Sequence, residues 1–134
     1  MKHSRFFAAV PAILITALIA GCASAKLEIP YEATDREIIQ IAQTEYDAGR
    51  VSNALQGYNT LLSRYGNNVA TYIEGRYEIA HIYLKQKNYS QAVPIYREIL
   101  DIYDNAAMGM LPPSFLKLTR ADWNKIPEAK RNEH

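Results

Sequence analysis

The sequence predicts an all-α fold in which antiparallel helix pairs stack as a short α-solenoid, with a capping helix at the C-terminus and a secretory signal in front. Three observations lead there. The chain matches itself at an offset of 38, "IAQTEYDAGRVSNALQGYNTLLSRYGN" from Ile41 aligning with "IAHIYLKQKNYSQAVPIYREILDIYDN" from Ile79. Identities fall at Ile41/Ile79, Ala42/Ala80, Ser52/Ser90, Ala54/Ala92, Tyr58/Tyr96, Leu62/Leu100, Tyr65/Tyr103 and Asn67/Asn105, which are packing residues and not surface charge. Within each copy the apolar residues recur at three and four, as one face of a helix requires: Leu55, Tyr58, Leu62 and Tyr65, then Val93, Tyr96, Leu100 and Tyr103. Helix-start chemistry sits where each copy needs it, beginning with the capping box Thr34-Asp35-Arg36-Glu37.

The first element is the leader. Lys2 and Arg5 precede an almost wholly apolar run from Phe6 to Ala20, then small residues and a cysteine. This is the layout of a secretory signal, and the run is too short to span about 30 Å of hydrocarbon comfortably. Ile19-Ala20-Gly21-Cys22 resembles a bacterial lipobox. The resemblance implies cleavage before Cys22, a diacylglyceryl group on its thiol and acylation of the new amino terminus; an ordinary signal cut at "ASA" is the alternative. Cys22 is the only cysteine, so no disulfide framework or thiolate metal site competes for it. Ala23, where aspartate commonly signals retention in the inner membrane, implies the outer membrane and its periplasmic face.

Residues 22–33, with Pro30 and no periodicity, read as the lipidated cysteine and a tether. Cleavage removes 21 of the 134 residues, Lys2 and Arg5 among them, and moves the formal net charge from +1 to −1. One small domain remains, with no basic footprint for nucleic acid.

Residues 34–105 hold the two copies, about 34–67 and 71–105. Thr71-Tyr72-Ile73-Glu74 offers a second capping box, while Ser52 and Ser90 stand where the second helix of each copy should begin. Gly49 and Lys87-Asn88 mark the inner turns, and Gly66 is expected to close the first copy in the left-handed conformation. Pro94 costs at most about one backbone bond near a helix start.

Two helices per copy, with small residues at Ala42, Ala54, Ala80 and Ala92 and aromatics at Tyr58, Tyr96 and Tyr89, resemble the tetratricopeptide-repeat (TPR) family over Thr34 to Asn105. The period exceeds the family's of about 34 by four residues, which are expected to lengthen the turn around 67–71. The resemblance implies a groove lined by the first helix of each copy. Carried over by position, its contacts are Arg36, Ile39, Gln43, Tyr46 and Asp47, then Glu74, Tyr77, His81, Leu84 and Lys85. A solvated face, or one covered by the chain's own tail, is the alternative.

The tail, residues 106–134, breaks at Pro112-Pro113 and offers Ser114 as a cap. Leu116, Thr119, Trp123 and Ile126 form a stripe, so a capping helix is expected, with a charged, frayed end after Pro127. Leu116 and Trp123, with the segment from Met108 to Leu111, are the candidates for a second partner surface.

No enzyme is expected. His81 is the only histidine inside the domain, HExxH, GxSxG and phosphate-binding glycine loops are lacking, and Asp101 and Asp104 are ordinary helix-surface acids. No metal, cofactor or small-molecule substrate is implied beyond the lipid on Cys22. A lipobox joined to TPRs resembles the BamD family of β-barrel assembly lipoproteins, which implies protein partners in the cell envelope, the barrel subunit among them. A lipoprotein of pilus, secretion or cell-wall assembly shares this architecture, and an envelope hydrolase is the remaining alternative.

Overall fold

A computed structural model describes residues 26–133. The signal segment, Cys22 and the first tether residues lie outside the described residues. Six helices follow in order: α1 (Asp35–Asp47), α2 (Val51–Tyr65), α3 (Val69–Lys85), α4 (Tyr89–Asn105), α5 (Pro113–Trp123) and α6 (Glu128–Arg131), with no strand among the described residues. Three-residue turns join the first four, so consecutive helices run antiparallel and pack as pairs, α1 with α2 and α3 with α4, α3 also lying against α2.

The small residues of the repeat set the pairing distance. Ala42, Ala54, Ala80 and Ala92 are all fully buried. A Cβ at Gly57 would lie 2.7 Å from Cβ of Ala42, so α1 and α2 approach as closely as backbone allows. Around these contacts Ile38, Tyr58, Leu61, Ile73, Ile82, Val93, Tyr96 and Ile99 form one continuous core.

Several helix ends differ from expectation. The Thr34–Glu37 capping box forms, with Thr34 N–H donating to Glu37 Oε2 at 2.8 Å. The second box does not, because α3 starts at Val69, three residues before the start that a Thr71 cap requires. Asn68 caps it, its Oδ1 accepting from the amides of Ala70 and Thr71. The four extra residues of the period therefore go into helix: α3 has 17 residues against 13 in α1. Ser52 and Ser90 lie inside the first turn, Arg50 and Asn88 being the caps, and Gly66 ends α2 at φ −68°, a right-handed conformation. Left-handed residues stand instead at the inner turn of each copy, Gly49 at φ 75° and Lys87 at φ 58°, and at Gly109 in the loop before α5, φ 82°. Pro94 lies inside α4 with its ring exposed, and Pro112 rather than Ser114 precedes α5.

Both ends of the described chain are docked. Arg64 donates to the carbonyl oxygens of Ile29, Pro30 and Tyr31, Gln56 to that of Leu27, and Tyr65 Oη to that of Ala33, so the tether lies along α2. Beyond Pro127 the chain forms α6, whose Arg131 carbonyl accepts from Arg97. No described helix is long and apolar enough to cross a membrane.

Candidate binding face

The inner face begins with a pair 38 residues apart. The Arg36 guanidinium grips Glu74 in bidentate fashion, at 3.0 and 2.5 Å, and that bond holds the arginine's pKa above its ordinary value. Thr71 Oγ1 donates to Asp35 at 3.5 Å. Arg36 and Glu74, equivalent positions of α1 and α3, thus stand side by side. An exposed pair of this kind is worth at most about 1 kcal/mol, so it fixes register more than it stabilises.

The other expected groove residues divide by burial. Gln43, Asp47 and Lys85 are exposed, Tyr46 and His81 are half-buried, and Ile39, Tyr77 and Leu84 are buried. Arg36, Gln43, Asp47 and Lys85 are therefore the accessible part. Below Asp47, Glu45 accepts from Arg50 and Asn53, which together pull its carboxyl down to about 2.

The α3 half of the face is taken by α5. Asp122, 2% exposed, enters from α5 and gathers four donors. Its Oδ2 accepts from Tyr77 Oη at 3.0 Å and Tyr96 Oη at 3.0 Å and lies 2.6 Å from His81 Nδ1; its Oδ1 accepts from Lys125 Nζ at 2.6 Å. Burial works to raise the Asp122 carboxyl, but the bonds from Lys125, His81 and Tyr77 outweigh it and hold the group below its ordinary value. The same burial, beside the Asp122 charge, raises the Tyr77 and Tyr96 phenols, so both remain donors. Rings complete the contact: Tyr77 stacks on His81 at 5.8 Å and meets Phe115 at 5.6 Å.

Leu116 is half-buried on α5, and Trp123 is half-buried between two guanidinium groups, Arg97 at 5.9 Å and Arg131 at 5.8 Å from the ring centroid. Trp123 thus joins α4 to α6, while Met108 and Met110 stand exposed in the loop before α5. A cavity of about 520 Å³ lies between residues 30–33 and the flank of α1, but two of its acids are already engaged: Glu37 in the cap and Glu45 with Arg50. No cluster among the described residues could hold a metal ion.

Asp122 is the site residue that the sequence reading missed. Its signal was present: Thr119, Asp122 and Ile126 follow helical spacing, which places a carboxylate on the stripe chosen for burial.

Fold and face together define an all-helical protein of successive helix pairs with a polar and aromatic inner face. In sequence the chain is similar to an uncharacterized protein of Treponema pallidum (strain Nichols), 35% identical over 117 residues, which is 86% of this chain. The chain spans about half that relative's length, 47%. No family model matches the chain, and no solved structure matches it.

Proposed function

We propose that the protein is a TPR-like lipoprotein that works as a protein-binding scaffold, anchored through Cys22 at the periplasmic face of the outer membrane. The observation carrying the scaffold reading is a turn repeated at steps of 38. Ala48 N–H bonds to Thr44 O and Gly49 N–H to Tyr46 O, and Gln86 to Ile82 and Lys87 to Leu84 repeat the turn; Asn124 to Arg120 and Lys125 to Asp122 repeat these two bonds without its left-handed residue. With the Arg36–Glu74 pairing, this regularity supports successive units offering side chains along one face. Such arrays use that face to bind protein segments, and the exposed groove residues are the contacts we assign. The lipobox resemblance at Ile19–Cys22 motivates the anchor, and a lipid anchor would raise the module's effective concentration for envelope partners.

The particular role we assign is an accessory of outer-membrane β-barrel assembly, as in the BamD family; pilus, secretion or cell-wall assembly is the competing role. Affinity purification of the tagged lipoprotein after crosslinking is expected to recover the barrel subunit, and repeated absence of that subunit removes the role. Cys22→Ser is expected to abolish palmitate labelling. Labelling unchanged by that substitution contradicts the anchor.

A further inference from the structure

We propose that Tyr77, His81 and Tyr96 form a carboxylate receptor for an amphipathic, acid-bearing helix of a partner protein, and that α5 occupies it as a built-in stand-in. The proposal rests on the groove reading above and specifies the chemistry of the groove's C-terminal half.

The receptor is built by α3 and α4, not by the helix that fills it. Three polar groups converge on one oxygen, Asp122 Oδ2, at 3.0, 2.6 and 3.0 Å. With α5 removed, these groups would lose the one oxygen they share. The site therefore calls for a carboxylate oxygen delivered on an apolar helix face, where Phe115 meets the Tyr77 ring.

α5 is seated differently from the helix it follows in the repeat. Its last turn lies at the 38-residue register, yet only part of the face that α3 buries is packed in α5. α3 buries Gly75, Ile79 and Ile82, with Gly75 against Leu61 and Leu62 of α2. The residues 38 positions on, Pro113, Lys117 and Arg120, are all exposed. Instead α5 turns Phe115, Thr119 and Asp122 inward. Phe115 and Asp122 stand 38 positions on from Tyr77 and Leu84, which α3 also buries, so α5 keeps that face inward, leaves open the positions α3 sets against α2, and so delivers its acid to the receptor.

The seat is also imperfect and loosely tethered. Thr119 Oγ1 is buried with no hydrogen-bond partner, and Leu118 is left 43% exposed. A seven-residue loop joins α5 to α4, where three residues suffice at the earlier turns. A partner helix that satisfies its own polar atoms can outcompete such a seat.

The test uses a labelled synthetic peptide of residues 112–127 and the full chain in detergent, read by fluorescence anisotropy. The chain carrying Asp122→Ala is expected to bind this peptide at least tenfold more tightly than wild type does. It should also bind it at least tenfold more tightly than a peptide carrying Asp122→Asn. Equal binding of the two peptides, or none, overturns the proposal. Hydrogen exchange on the wild-type chain answers the question even if Asp122→Ala fails to fold. Amides of α5 and α6 should exchange at least tenfold faster than those of α3 and α4; exchange of all four only through global unfolding overturns the stand-in. A crosslinked partner recovered without Asp-dependent peptide binding would overturn the receptor and leave the scaffold reading intact.

Discussion

Asp122 shows how much one residue can decide. A carboxylate at 2% exposure is tolerable only because four donors surround it, so removing it strands two phenols and an imidazole. Asp122→Ala is expected to cost about 3 kcal/mol in chemical denaturation, whereas Asp104→Ala, on the exposed side of α4, should cost under about 0.5 kcal/mol. The pH dependence follows in sign. The folded values of Asp122 and Glu45 are depressed, the latter to about 2, so their stabilisation is complete above the ordinary carboxylate range and is lost as pH falls through the folded values. Glu78 acts in the opposite direction: burial raises its carboxyl, so its protonation on mild acidification stabilises the fold. Urea midpoints should hold or rise slightly from pH 7 to about 5 and fall steeply below about 4. A monotonic loss from pH 7 would contradict this assignment.

At the scale of elements, the two glycines of the helix contacts are not equivalent. A Cβ at Gly57 meets the Cβ of Ala42 at 2.7 Å, which cannot yield without separating α1 from α2. At Gly75 it meets the flexible tip of Leu62 at 2.9 Å. Overpacking should outweigh the helix-propensity gain in the first case and balance it in the second. Gly57→Ala is expected to destabilise by about 1–2 kcal/mol and Gly75→Ala to be near neutral by thermal denaturation. Lys87, at φ 58° in the turn where Gly49 stands one repeat earlier, should be stabilised by about 1 kcal/mol on Lys87→Gly. These elements were largely legible beforehand. Periodicity and the alanines placed all four long helices, because their burial pattern is local in sequence. Caps were less legible: Asn68 outcompeted Thr71 because its Oδ1 reaches two free amides of a helix that begins three residues earlier. Nothing in a linear pattern weighs those two starts against each other.

For the whole molecule, what escaped the sequence was long-range. The inner face was assigned from the repeat, and Arg36 does meet Glu74 one period away. That Tyr77 and His81 would be engaged by an acid 45 and 41 residues further on depends on how α5 docks against α3 and α4, which no repeat match contains. The docking of residues 27–33 on Gln56 and Arg64 was likewise hidden, because backbone carbonyls accept there and carry no side-chain signature. The proposed function requires that this inner face bind protein. Site-specific photocrosslinking in the native host tests it most directly, with the probe at Gln43 or Lys85 on the face and at Ser63 on the exposed side of α2. One discrete envelope-protein adduct is expected from Gln43 and Lys85 and none from Ser63. Equal adducts from all three positions, or an adduct from Ser63 alone, would contradict it.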